Sequence, residues 1–162
     1  MNQRIKKPYI KCASASRTMA SKLGNYIFAI FSLLAEHNLD GVDVQCRWLK
    51  TKTDMDNVNL FFEELKRHLT KMEKKAPFII SAFLPHQLSK NAREISMHVD
   101  FLTIETSNFY GSWFKENAHL TGPASPLYSR KAVLIKKNID YVMKEYSCLT
   151  GQPNKLNILV EL

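Results

Sequence analysis

Residues Leu39–Trp48 read L-D-G-V-D-V-Q-C-R-W, and this stretch organises the chain. Val42, Val44 and Cys46 alternate with Asp43, Gln45 and Arg47. Period-two alternation puts one apolar and one polar row on opposite faces of a strand. Asp40-Gly41 is a turn-like pair that launches the strand after an amphipathic helix. A polar row on a strand set among helices needs a reason. The expected one is a site at the carboxyl end of a parallel strand.

The surroundings fit an alternating α/β chain. Ser14 or Ser16 is a suitable N-cap for a helix of about 20 residues, with Met19, Leu23, Ile27, Ile30 and Leu34 as its apolar stripe. Asn38 ends it. Beyond the Asp40–Arg47 strand, Asp54 or Asp56 is expected to cap a second helix. Val58, Phe61, Phe62, Leu65, Leu69 and Met72 form its buried stripe, Glu63–Arg67 is an outer i,i+4 pair, and Pro77 marks its stop. The apolar run Phe78–Leu84 fits a strand covered on both faces. A short helix over Gln87–Met97, a strand over Val99–Thr106 and a long loop over Ser107–Lys131 follow. A helix over Asn138–Ser147, a turn at Gly151–Asn154 and a strand over Lys155–Glu161 close the chain. Residues 1–13 read as an irregular basic lead-in. Strands alternating with helices imply a parallel sheet, either doubly wound or part of a barrel.

Composition bounds the function. The 162 residues suffice for one domain, and 45% apolar with 23% charged content is ordinary for a folded globular protein. The net charge of +8 raises nucleic acid and acidic membranes as partners. The cations fall in short groups at helix ends and in loops, which argues for a solvated surface and against either partner. Cys12, Cys46 and Cys148 have no metal-ligand spacing; Cys46 reads as a small buried hydrophobe, and a Cys12–Cys148 bond stays open. His37, His68, His86, His98 and His119 also lack ligand spacing, so surface or turn positions are expected for them. No metal or cofactor is implied. The basic N-terminus has no apolar core after it, so no export signal is visible in this chain.

Four stretches together carry a resemblance. Asp40–Arg47 resembles the D-G-x-D-x-D-x-E strand of glycoside hydrolase family 18, the chitinases. Phe101–Trp113 resembles that family's sixth strand, D-F-I-x-x-M-T-Y-D-x-x-G-x-W. Thr121–Tyr128 is similar to its T-G-x-x-S-P-L-Y loop, and Cys148–Val160 to its seventh strand with the preceding turn. The ending S-C-x-x-x-x-P-N-K-L-N resembles the chitinase-like proteins of nematodes. The resemblance implies a partial TIM (β/α)8 barrel over residues 14–162, from roughly the third helix to the seventh strand. A whole barrel takes roughly 250 residues. Open sheet edges are then expected at the Asp40 and Lys155 strands, with a protein partner as a candidate cover. Relatives of this kind are typically exported.

The same resemblance implies substrate-assisted hydrolysis. A Glu at the motif's end protonates the glycosidic oxygen, while the Asp two residues earlier orients the substrate's acetamide. Here those positions are Arg47 and Gln45. Arginine stays protonated and cannot be the acid. Its charge also opposes an oxocarbenium-like transition state. Gln45 can hydrogen-bond an acetamide but brings no charge. Acid catalysis alone is worth about 100- to 10,000-fold. Glu105, Ser107 and Asn108 stand where the family has Met, Tyr and Asp. Asp40, Gly41 and Asp43 are retained, the first two supporting the turn and Asp43 making an internal hydrogen bond. Arg47 and Glu105 either meet as an ion pair in the barrel interior or leave Glu105 facing solvent.

The expectation is a catalytically inactive chitinase-like protein that binds chitin or related N-acetylglucosamine oligomers. Trp48, Glu105, Asn108, Tyr110 and Trp113 are the candidate glycan contacts, although packing is the favoured role for Trp48 and loop anchoring for Trp113. The competing expectations are a truncated family product acting only through protein contacts or without function, and, as a remote third, residual hydrolysis with Glu105 or Asp43 as a substitute acid.

Overall fold

The structure is a computed structural model and describes residues 9–11, 18–45, 51–72, 76–87, 90–111, 121–129 and 135–160, with side chains from Leu23 onward. The elements run β1 Tyr9–Lys11, α1 Thr18–Glu36, β2 Gly41–Gln45, α2 Lys52–Leu69, β3 Ile79–Leu84, α3 Ala92–His98, β4 Phe101–Glu105, α4 Ile139–Thr150 and β5 Leu156–Leu159. The five strands lie in sequence order, β1-β2-β3-β4-β5, and every pair is parallel. This is the α/β architecture expected, with one correction. Tyr9–Lys11 is not part of an irregular lead-in but a strand, paired Tyr9 with Asp43 and Lys11 with Gln45. Among the described residues the sheet therefore starts at β1 rather than at the Asp40 strand.

Register sorts the side chains onto two faces. Residues paired across a parallel sheet share a face. Val42, Val44, Ile80, Ala82, Leu84, Leu102 and Ile104 are all fully buried. They form one cluster with Leu34 of α1, Phe62 and Leu65 of α2, Ile95 of α3 and Tyr146 of α4. This row faces the helices. The alternate row is Gly41, Asp43 and Gln45 on β2, Ile79, Ser81 and Phe83 on β3, Phe101, Thr103 and Glu105 on β4, and Asn157 and Leu159 on β5. It holds the sheet's polar side chains. β3 is covered on both faces, as its continuous apolar run predicts, with only Ile79 half-buried.

Local chemistry sets the element ends. Helix α2 is capped by Thr51 rather than Asp54 or Asp56. Thr51 Oγ1 accepts from the Asp54 N–H at 3.1 Å, and Asp54 Oδ2 accepts from the Thr51 N–H at 3.0 Å. This reciprocal pair satisfies two donors that the first turn leaves unpaired. On the outer face Arg67 pairs with Glu64, one turn back, instead of Glu63. Asn138 caps α4 by accepting from the Tyr141 N–H at 2.9 Å. Gly151, at φ 66°, ends α4 in the left-handed conformation that glycine tolerates. Helix α3 is shorter than its apolar pattern suggests, and β4 starts at Phe101 because Asp100 serves the corner before it. The Asp100 N–H donates to the Ile80 carbonyl at 2.8 Å, while its carboxylate accepts from the Ile80 N–H at 2.7 Å and from Lys66 Nζ at 3.3 Å. One residue thus ties β3, β4 and α2 together.

Candidate functional site

The polar row of β2 begins at a close approach of two backbones. A Cβ at Gly41 would stand 2.0 Å from the Ile79 carbonyl oxygen. Beside it, the Ile79 N–H donates to the Asp40 carbonyl at 3.0 Å. The pair Asp40-Gly41 therefore marks the point where β2 and β3 come together, beyond its role as a turn. Two residues on, Asp43 sits in register with Ser81, and Ser81 Oγ donates to Asp43 Oδ1 at 2.5 Å. Ser81 is buried and Asp43 half-buried. Asp43 thus makes the internal hydrogen bond expected of it. Its partner is a residue that sequence reasoning missed, because the two lie far apart in the chain. Gln45, 6% exposed, ends the strand in register with Lys11 on one side and Phe83 on the other. Cys46, Arg47 and Trp48 lie outside the described residues, as does Trp113. The expected Arg47–Glu105 pairing is likewise outside them. Glu105 itself is half-buried at the end of β4, on the same face as Asp43 and Gln45.

The segment leaving β4 is tightly held. Thr106 Oγ1 donates to the Leu159 carbonyl at 2.6 Å, and Thr106, Ser107 and Phe109 are buried. Asn108 has φ 59°, a left-handed conformation that asparagine adopts more readily than most residues, and its amide donates to Ser107 Oγ at 3.3 Å. Tyr110 is half-buried, and its ring lies against Gly122, where a Cβ would come within 2.6 Å of it. The Lys137 ammonium stands 5.7 Å from the Tyr110 ring centroid, within cation–π range. His86, in the segment after β3, packs its ring on Phe109 with centroids 5.3 Å apart. The ends of β3 and β4 thus bring together His86, Phe109, Tyr110 and Lys137. Of these, sequence reasoning singled out only Tyr110; His86 reads there as a surface or turn residue but is partly buried. Cys148 carries an exposed free thiol on α4, and Cys12 lies outside the described residues.

Burial, reinforced by the Lys137 charge, holds the His86 imidazole below its ordinary pKa of 6.5. The unfolded chain then takes up a proton at higher pH than the folded one. Stability from this source is complete above the unfolded value and is lost as pH falls below it toward the folded value. The melting temperature is expected to fall between about pH 7 and about pH 5, and less steeply in His86→Gln. Equal slopes for the two proteins would remove His86 as the source.

Among the described residues, the alternate face of the sheet offers two carboxylates, Asp43 and Glu105, with the Gln45 amide at the end of the motif strand. One carboxylate is engaged by Ser81. The amide has two N–H donors and a carbonyl acceptor, a set that matches an acetamide group.

The sequence model described as "Glycosyl hydrolases family 18" matches residues 6–162. The chain belongs to that family. It is 27% identical over 157 residues to "Probable chitinase 2" of Drosophila melanogaster, covering 89% of this chain and 30% of the relative. Among solved structures it is similar to the immunomodulatory active chitinase of Trichuris suis, with a TM-score of 0.76 at 19% identity, over 93% of this chain and 44% of that one. It is also similar to YKL-39, solved in the presence of chitooligosaccharides (GlcNAc4), with a TM-score of 0.78 at 19% identity, over 94% of this chain and 46% of that one. The chain therefore spans under a third of that curated relative and under half of those solved chains. Among the described residues, five parallel strands and four α-helices have the architecture of part of a (β/α)8 barrel. The family match begins at residue 6 and so includes β1, which the expected domain start at residue 14 left out.

Proposed function

We propose that this chain is a catalytically inactive chitinase-like protein that binds N-acetylglucosamine-containing glycans of the chitin class. The observation that carries the reading is the end of the motif strand, where Gln45 and Arg47 replace the family's two catalytic carboxylates. Proton donation to a glycosidic oxygen needs a group that releases a proton near neutral pH, and a guanidinium does not. The Asp43 carboxylate, held by Ser81, lies one full pleat repeat back along the strand from Gln45. Glycan binding is supported by the retained frame, by the amide at Gln45, and by the chitooligosaccharides present with a relative of the same fold. Within this reading Asn108 and Tyr110, with Glu105, Trp48 and Trp113, are the contacts that hold sugar. Residues 14–162, joined by β1, act as the barrel segment. Ile158 and Val160, both half-exposed at β5, support a protein partner along that edge.

The test pairs two measurements on the purified chain. A chitin tetramer should titrate the protein by calorimetry, and a reducing-end assay should show no turnover of it above buffer. Turnover abolished by Glu105→Gln would show a substitute acid and overturn the inactive reading. Failure of any chitin-class oligomer to bind would overturn the glycan reading.

A further inference from the structure

We propose that the cleft between the starts of α2 and α3 is a second carbohydrate site, one that takes a neutral, hydroxyl-rich pyranose unit; it is separate from the Gln45 site and does not rest on that reading. Both helices follow strands of one parallel sheet, so both begin at the end where the strands finish. The cleft therefore lies on the outer rim of the end that carries Gln45. Its volume is about 640 Å³, within the range of pockets that hold small ligands. One wall is α2, with Lys52, Met55, Asp56 and Asn59; the other is the start of α3, with Lys90, Asn91 and Glu94. A buried amide fixes the base. Asn91 is 4% exposed, and its nitrogen donates to Asn59 Oδ1 at 3.1 Å and to the Met55 carbonyl at 3.5 Å. These bonds hold the start of α3 against α2 and set the spacing of the two walls.

Each wall carries a Lys four residues before a carboxylate, Lys52 with Asp56 and Lys90 with Glu94. Lys before acid is the weaker order for an i,i+4 pair. Among the described residues none of these four is in an ion pair. Asp140 and Lys144, in the stronger order on α4, close on each other at 2.8 Å. The cleft is thus lined by two ammoniums and two carboxylates that remain open to a ligand. That set selects the ligand's chemistry. Its charges cancel, so an anion would satisfy the lysines and meet Asp56 and Glu94, and a cation would do the reverse. A small zwitterion has one pole of each sign and engages one cation and one carboxylate. A pyranose carries hydroxyls around its edge, and each hydroxyl both donates and accepts. It can make charge-assisted hydrogen bonds to both walls without bringing charge of its own. Met55 adds an adaptable apolar surface for the C–H face of the ring. Hydroxyls alone satisfy this lining, so the cleft needs no acetamide.

The test titrates the full chain with cellotetraose, a neutral oligomer that has hydroxyls and no acetamide, and follows backbone amide signals by NMR. The signals of residues 52–59 and 90–94 are expected to shift together as the sugar is added. Asp56→Ala and Glu94→Ala, both at exposed positions, should each weaken that binding about tenfold, the loss expected for a hydrogen bond to a charged group. Glu63→Ala, on the exposed face of α2 outside the cleft, should leave it unchanged. Circular dichroism shows whether each variant is folded. Absence of shifts at the cleft overturns the proposal, and so does binding that neither cleft variant weakens. Glycine shifting the same signals at equal concentration overturns it as well, by showing a zwitterion site. A chitin tetramer that perturbs only Gln45 and the residues after β4, with cellotetraose silent, overturns the second site and leaves the glycan reading standing. Cellotetraose shifts at the cleft with no response at Gln45 to the chitin tetramer support the second site while the glycan reading fails.

Discussion

Gly41→Ala is expected to destabilise the chain by about 3 kcal/mol or more, at the upper end of overpacking costs. The reason is space and not backbone freedom, because Gly41 does not occupy the left-handed region. The added Cβ would meet three backbone atoms of Ile79, its carbonyl oxygen at 2.0 Å, its carbonyl carbon at 2.8 Å and its nitrogen at 2.9 Å. A flexible side chain could swing aside, but backbone atoms in a paired strand cannot. Relief would require β2 and β3 to part at the position where Ile79 N–H donates to Asp40. The same movement would pull Ser81 from Asp43 two pairs further along. Urea unfolding measures the loss, and Gly24→Ala is the control. Nothing lies within 4 Å of a Cβ at Gly24, in the middle of α1. There alanine should stabilise by about 0.5–1 kcal/mol, the ordinary helical preference over glycine. Equal effects at the two sites would refute the steric account of Asp40-Gly41.

This contrast also shows what a sequence makes legible. The alternation of Val42 and Val44 with Asp43 and Gln45 is readable because burial acts on each residue separately. The stripe Val58, Phe61, Phe62, Leu65 and Leu69 is readable for the same reason, and all five are buried. Tyr9–Lys11 is three residues long, too short for a period to emerge, and only its pairing with β2 makes it a strand. Partner choice is harder still. Asp43 and Ser81 meet because β2 and β3 align in register, and no local pattern in either segment records that. The Thr51 cap was hidden by nearer-looking acids: Asp54 does take part, but as the third helical residue reaching back to Thr51. His86 looks like a turn histidine, since Pro85 precedes it, and only Phe109 packing against it shows its burial. In the motif strand itself, residue identity spoke directly. That Gln45 and Arg47 carry no carboxylate is chemistry, legible without coordinates.

Tyr146→Ala is expected to cost about 3–5 kcal/mol, the range for truncating a fully buried aromatic ring. Tyr146 is completely buried and belongs to the cluster that joins the helices to the sheet. Its hydroxyl adds a second function. It donates to the Pro85 carbonyl at 2.7 Å, with the Gln87 carbonyl at 3.2 Å, and so fastens α4 to the segment that leaves β3. That segment carries His86 and its contact with Phe109, so Tyr146 holds one wall of the candidate site from beneath. Tyr146→Phe separates the two contributions. The ring still fills the core, but the Pro85 and Gln87 carbonyls lose their donor, at a cost of about 0.5–1.5 kcal/mol. Because the lost bond lies at the segment and not in the core, amide exchange in residues 86–91 should quicken in Tyr146→Phe while the buried amides of β3 keep their protection. The alanine variant should speed exchange in both. Uniform loss of protection in Tyr146→Phe would mean that the hydroxyl supports the whole core, and a Tyr146→Phe variant as stable as the parent would mean that it fastens nothing.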